Sequence, residues 1–234
     1  MAVADQIRQP EDRPFVTLSY AQSLDGSIAI MEGERTQISG PESARLTHQL
    51  RADHDAILIG IGTLLADDPH LTVRLVEGNN PQPVVLDRNL RIPVDSNLVQ
   101  SNPPLIATLE GADREKIQKL TSLGAEVVYV QDSRPGNLHI HTILDILHAR
   151  GIRRLIVEGG ARVLTSFLEA RLTDFMVVTI SPMILGGLPA VSFPRRRGST
   201  TKVKEIIKLD KMNSTFYGED LVVFGRPVSE KPDL

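Results

Sequence analysis

The sequence contains no cysteine. Disulfides, thiolate metal sites and cysteine nucleophiles are therefore excluded, as is a zinc-dependent base deaminase, whose paired metal-binding cysteines cannot be built. Tryptophan is also missing, and only three Tyr and six Phe are spread over 234 residues. That is too few for a platform that stacks single-stranded nucleic acid. Charge of one sign is lacking: 26 basic and 29 acidic side chains leave a net charge of -3, which argues against a general nucleic-acid binder. No apolar run is long enough to cross a bilayer. Met1 to Asp12 is polar and lacks the basic-then-apolar pattern of a secretory signal. The expectation is a cytoplasmic protein with neither membrane nor nucleic-acid partners.

What is present is a core-forming composition, 41% hydrophobic, and a repeated alternation of short apolar runs with amphipathic stretches. Strands are predicted at Phe15 to Ala21, Ala56 to Ile59, Pro83 to Leu86, Leu105 to Leu109, Val127 to Val130, Leu155 to Val157 and Phe175 to Ile180. Helices are predicted from Pro41 (with Ser39 or Gly40 at the cap) through Arg51, over Arg114 to Leu123, over Leu138 to Ala149 and over Ala161 to Leu168. Thr63 to Leu65 makes a short helical turn closed by Asp67-Asp68-Pro69. Three β segments close the chain, Lys202 to Leu209, Met212 to Tyr217 and Leu221 to Phe224, with Gly218 and Asp220 suited to a hairpin. The pattern predicts a three-layer α/β/α sandwich, its sheet mostly parallel with antiparallel C-terminal strands. One domain over residues 13–226, with flexible ends at 1–12 and 227–234, accommodates every element. The run Arg195-Arg196-Arg197 reads as a solvated loop, with a phosphate-gathering loop as the alternative. His139 and His141 open a helix-like stretch without a carboxylate cluster, so they are not read as a metal site.

The segment with most chemistry is Glu158-Gly159-Gly160, at the seam between the strand Leu155 to Val157 and the helix from Ala161. Two glycines allow close approach to the backbone. A helix start with unpaired N–H groups suits a phosphate. Glu158 adds an acceptor at the carboxyl end of a strand, where open α/β sheets place ligands. A tight strand-to-helix turn is the plainer alternative. No G-x-G-x-x-G fingerprint is present, so a Rossmann site is not expected.

Several segments, taken in order, resemble a known family. They are Ser23-Leu24-Asp25-Gly26, then Leu50-Arg51-Ala52 before Ala56 to Gly60. Next comes the long Gly62-Thr-Leu-Leu-Ala-Asp-Asp-Pro-His-Leu-Thr-Val-Arg74, then Glu158-Gly159-Gly160 and Pro182-Met-Ile-Leu-Gly-Gly187. Together they resemble the pyrimidine reductases of riboflavin biosynthesis, which occur fused to a deaminase or alone, over roughly Arg13 to Gly225. The resemblance implies a dihydrofolate reductase-like fold and a homodimer. It also implies NADPH-dependent reduction of the ribosyl group of a 5-amino-6-(5-phosphoribosylamino)uracil-type pyrimidine to ribityl. The not yet deaminated 2,5-diamino-6-ribosylamino-pyrimidinone 5-phosphate is the alternative substrate. A dihydrofolate reductase-like enzyme of other substrate, or a non-catalytic nucleotide binder, are the competing readings.

The same resemblance assigns residues. Arg51 and Arg74, with Leu71 beside them, match positions that hold the substrate 5-phosphate, a task suited to a guanidinium fork. Glu158 matches the glutamate that contacts substrate hydroxyls or ring amines. Gly159, Gly160, Ala161, Arg162, Val163, Leu164, Thr165 and Ser166 match the segment that receives the cofactor, and Ala21, Thr63 and Asp67 match further cofactor contacts. Arg35 and Gln37 depart from the family pattern in a loop near the cofactor, and Arg35 is taken as an added phosphate contact. Arg88, with Arg91 nearby, stands where a small hydroxyl residue is usual; beyond the resemblance, it is read as a partner of the NADPH 2′-phosphate, with a plain loop arginine as the alternative. Asp25 is the candidate proton donor by position, with a turn-forming role as the alternative.

Overall fold

The computed structural model describes residues 9–134, 137–193 and 206–230. A nine-stranded sheet runs through it in the order β12-β13-β10-β1-β9-β3-β4-β5-β6. Seven of its strands are parallel: β1 (Phe15–Ser23), β3 (Ala56–Gly60), β4 (Gln82–Leu86), β5 (Leu105–Thr108), β6 (Glu126–Tyr129), β9 (Arg154–Val157) and β10 (Phe175–Ser181). β12 (Ile206–Tyr217) and β13 (Asp220–Glu230) add antiparallel to β10. Small ladders join β2 (Ser27–Ala29) to β11 (Leu188–Pro189), and β7 (Asp132–Arg134) to β8 (Asn137–Leu138).

The central strands are apolar because both their faces are covered. In β3, Ile57 and Ile59 enter one core, while Ala56 and Leu58 enter the other. The first core also takes Leu46 and Leu50 from α1 (Pro41–Ala52), Leu98 and Val99 from α3 (Asn97–Ser101), and Leu120 from α4 (Arg114–Ser122). The second takes Ile143, Leu144 and Leu147 from α5 (Ile140–Ala149), and Leu164, Phe167 and Leu168 from α6 (Ala161–Glu169). A short helix, α2 (Ile61–Asp67), follows β3 directly. The three layers expected from the sequence are therefore present.

Buried polar groups pin the layers together. The His54 imidazole donates from Nδ1 to the Leu50 carbonyl at 2.6 Å and accepts the Thr17 hydroxyl at 2.8 Å, tying the end of α1 to β1. Burial holds its pKa below the usual value, so it does this as the neutral ring.

Three parts of the sequence reading change. The C-terminal segments expected on either side of residues 210–211 form one strand, β12, kinked by a bulge between Asp210 and Asn213. A local polarity break had been read as a strand end. β13 runs to Glu230, past the boundary at 226. The helix expected from Leu138 starts at Ile140, because His139 caps it and Leu138 belongs to β8. The stretch holding Arg195, Arg196 and Arg197 lies outside the described residues, as does most of the expected N-terminal tail.

The glycines at the strand ends have a packing reason. A methyl placed on Gly60 would stand 2.8 Å from Cγ2 of Val163, and one on Gly159 would stand 2.5 Å from its Cβ. The missing side chains let α6 sit down on β3 and β9. Gly60→Ala is expected to lower unfolding free energy by roughly 1–3 kcal/mol through overpacking. In a urea-denaturation cycle with Val163→Ala, the double substitution should lose less than the sum of the two singles. Simple additivity would place the contact elsewhere.

Candidate functional site

A cleft of about 1050 Å³ opens at the carboxyl ends of the central strands. Its walls come from Ser19, Tyr20 and Ala21 of β1, Gly60 of β3, Leu86 of β4 and Thr179 of β10, with Glu158 directly after β9. This is where the chain's route reverses: β1 leads across to β3, while β9, lying between them in the sheet, leads to β10 on the far side. Connections leaving opposite ways open a crevice at such a point.

The start of α6 forms part of the wall through Gly159, Gly160, Ala161, Arg162, Val163 and Ser166. Its N-cap, Gly160, has extended backbone, and no side chain caps the first turn. Those N–H groups, with the positive end of the helix dipole, suit an anion. The sequence had read the two glycines as making room for a ligand. Gly159 instead makes room for Val163, and it is the uncapped turn after it that offers the backbone donors.

Arg51 and Glu158 meet in the same cleft. Arg51 Nε donates to Glu158 Oε1 at 2.9 Å and Nη2 donates to Oε2 at 2.6 Å, the two-bond fork geometry. Arg51 Nη1 reaches the Thr72 carbonyl at 3.3 Å. Both side chains are mostly buried, 13% and 14% exposed. Despite the burial, the carboxylate raises the Arg51 pKa above its ordinary value. The sequence reading gave Arg51 to a phosphate and Glu158 to substrate hydroxyls, as separate contacts. The fold joins them into one hydrogen-bonded pair.

Other expected site residues divide into two groups. Ala21, Arg35, Gln37, Thr63 and Asp67 line the cleft. Burial raises the Asp67 pKa, with the Arg35 charge opposing. Gln37 spends its amide on the Ser39 carbonyl at 2.7 Å. Leu71, Arg74, Leu164, Thr165 and Asp25 do not line it. Leu71 turns its side chain into the core, 3% exposed, on a left-handed backbone (φ 53). Arg74 is exposed, and its Nη1 donates to Thr72 Oγ1 at 2.7 Å. Leu164 packs in the core, and Thr165 Oγ1 accepts from the Ser192 backbone at 3.1 Å. These two are the inward turn of the amphipathic helix that presents Ala161 and Arg162 outward.

Asp25 forms a turn, the alternative role considered from the sequence. Its carboxylate accepts from the Ser23 hydroxyl at 2.5 Å and the Ser27 hydroxyl at 2.9 Å. It also accepts from the backbone N–H groups of Leu185 and Gly186, at 3.0 and 2.8 Å. These donors, the Ser23 hydroxyl first, hold its pKa far below the usual carboxylate range. Arg88 lines the cleft, but its guanidinium is taken by Asp132, with Nε at 3.0 Å from both carboxylate oxygens and Nη2 at 2.6 Å from one. Asp132 was not visible as a partner in the sequence because it lies on β7, 44 positions further along the chain.

The sequence reading missed Tyr20, Asp87 and Thr179 as cleft residues. Position was the available signal, since each sits at or just past the carboxyl end of a predicted parallel strand. Thr179 is beside Ala21 in the parallel register. Burial raises the Tyr20 pKa. Asp87 is fully buried; Oδ2 accepts from the Ile92 backbone at 2.7 Å, while Oδ1 has no hydrogen-bond partner among the described residues.

This fold, with its crevice at the carboxyl ends of the central strands, is of the dihydrofolate reductase-like class. Dihydrofolate reductase from Enterococcus faecalis aligns over 91% of this chain and 96% of its own, with a TM-score of 0.50 and 15% identity, a likeness of fold. The RibD C-terminal domain family matches residues 14–223, and the chain belongs to that family. It is 40% identical over 215 residues to the 2,5-diamino-6-ribosylamino-4(3H)-pyrimidinone 5′-phosphate reductase of Methanothermobacter thermautotrophicus, covering 90% of this chain and 97% of that protein. RibD from Acinetobacter baumannii superposes with a TM-score of 0.76 at 26% identity over 93% of this chain, which spans 59% of that longer protein.

Because Asp25 is held as a carboxylate in the folded state, its contribution to stability is present above its unfolded value and lost as pH falls through the lower folded one. Wild type should lose stability as pH drops below about 4. Asp25→Asn should lose less over that step in thermal melts, be less stable at neutral pH, and keep its turnover. Abolished turnover in a folded Asp25→Asn protein would restore Asp25 to the chemistry.

Proposed function

We propose that this chain uses NADPH to reduce the ribosyl group of an aminopyrimidine ribosyl 5′-phosphate to ribityl, as a cytoplasmic homodimer. The chain is an oxidoreductase of riboflavin biosynthesis. The reduction is common to both bases considered from the sequence. The name of the Methanothermobacter relative, matched over 97% of its length, favours the 2,5-diamino form. One observation carries the reading: a single cleft holds both an uncapped helix start and the Arg51–Glu158 pair. The first suits a pyrophosphate, the second a hydroxyl-bearing anionic sugar.

The residues present fit the cofactor. The first turn of α6 would hold its pyrophosphate through backbone N–H groups, and Thr63 and Asp67 would hold the nicotinamide half. Arg91, which lines the wall beside Arg88, adds positive charge suited to a 2′-phosphate. NADPH supplies the hydride when bound. The chain's own task is placement. Glu158 accepts hydrogen bonds from substrate hydroxyls or ring amines, and Arg51 keeps that carboxylate oriented. Arg35 adds a cation at the mouth. With Asp25 committed to its turn, the proton comes from solvent, which reaches the open cleft. Catalysis then rests on proximity, which contributes roughly 7–11 kcal/mol in well-oriented systems. The long edge strand β12, with Met212 61% and Phe216 70% exposed, is the surface a second copy would cover.

Loss of NADPH absorbance with each of the two pyrimidines should be seen, faster with the diamino form; no consumption with either overturns the proposal. Glu158→Gln should lower kcat/KM about 10- to 100-fold, the worth of a charged hydrogen bond. It should also destabilise the fold, because it strips a mostly buried guanidinium of its counter-charge. Arg91→Ala should reduce the preference for NADPH over NADH more than Arg88→Ala does. The reverse order would mean that Arg88 leaves Asp132 for the cofactor.

A further inference from the structure

His48 sits on α1, three residues before Arg51 and so on a neighbouring part of the same helix face. The residue is 6% exposed. Nδ1 accepts the backbone N–H of Arg74 at 2.9 Å. A donor at that distance means that Nδ1 carries no proton and that the ring proton sits on Nε2. Residues 68–74 need such a restraint. Asp68 (φ 39) and Leu71 (φ 53) both take the left-handed backbone that non-glycine residues avoid. Asn80 holds the same loop from its other side, its Oδ1 accepting from Val73 N at 2.8 Å. The loop in turn supplies the Thr72 carbonyl to Arg51 at 3.3 Å, and the Thr72 hydroxyl to Arg74 Nη1 at 2.7 Å. A continuous hydrogen-bonded path therefore runs from the His48 ring through the Arg74 main chain and Thr72 to Arg51, and on to Glu158.

We propose that His48 is a positioning residue for the phosphate-bearing end of the substrate: by holding the Arg74 main chain it sets the loop that seats Arg51 against Glu158. This rests on the substrate class proposed above. It also makes the site sensitive to acid. The charged groups facing the ring are Arg51 on its own helix, Arg74 on the loop and Glu158 after β9. Burial, then the two guanidiniums, lower the His48 pKa, while Glu158 works against them. The neutral ring is the acceptor. Protonation puts an N–H on Nδ1 against the N–H of Arg74, and the strap is lost as pH falls.

The probe is ribose 5-phosphate, titrated calorimetrically into the full chain, with NADP⁺ as a control ligand. Asparagine places an acceptor near Nδ1; glutamine places one near Nε2. His48→Gln should therefore weaken ribose 5-phosphate about tenfold, one hydrogen bond's worth, with NADP⁺ affinity unchanged, and His48→Asn should bind close to wild type. As pH falls below about 6.5, wild type should lose affinity more steeply than His48→Asn. The ligand's own second ionisation, near about 6, is common to both proteins and cancels in the comparison. Equal losses in the Asn and Gln variants, parallel weakening of NADP⁺, or superimposable pH profiles would overturn the role of His48. Wild type that binds no ribose 5-phosphate would overturn the substrate reading with it, whereas wild type and His48→Gln binding equally well would remove only His48.

Discussion

The cleft depends on a guanidinium and a carboxylate that have been taken out of water together. Arg51 and Glu158 are each about one-seventh exposed and share two hydrogen bonds. Either charge alone would be costly at that depth, and the attraction between them offsets a desolvation penalty that neither could meet singly. Two consequences follow. The pair holds the end of β9 against the end of α1, so the wall of the site is rigid before any ligand arrives. Any ligand that reaches the pair meets groups already charged and oriented, which avoids reorganisation on binding.

Everything around that pair serves to bring two strand ends and two helix starts to one rim. Parallel strands buried on both faces make the rim, since their carboxyl ends all point the same way. Close seating of α6 makes the backbone donors available. That seating depends on glycines at positions 60 and 159 leaving room for Val163. Helix and strand are thus locked by packing, and the uncapped first turn of α6 is left facing the cleft because no side chain reaches back to it. Just past the carboxyl end of β1, Asp25 gathers the loop at 185–186.

The layered fold was legible in the sequence because its signals are local. Ile57 and Ile59 alternate with Ala56 and Leu58, and this marks a strand covered on both sides whatever the rest of the chain does. Gly124 and Gly151, just past α4 and α5 and both at positive φ, are local helix-stop signals of the same kind. Cleft membership was partly legible: Glu158 and Gly160 stand at a strand end and a helix start, whereas Ala21, Thr63 and Asp67 came only from the family resemblance. The two roles weighed for Asp25 were not separable in the sequence, because a carboxylate after a strand looks the same whether it faces a ligand or its own backbone.

By itself the sequence determined the order of elements, the three layers and the rim of the sheet as the place for ligands. Periodicity, turn chemistry and the handedness of crossovers leave few alternatives there. Only the tertiary structure decided which charges meet. Arg51 and Glu158 are 107 positions apart, Arg88 and Asp132 44 apart, and Asp25 reaches the backbone 160 positions on. A long charged side chain can satisfy itself with any of several partners at similar energy, so its partner is chosen by strand register and loop closure. The side chain's own chemistry does not make that choice.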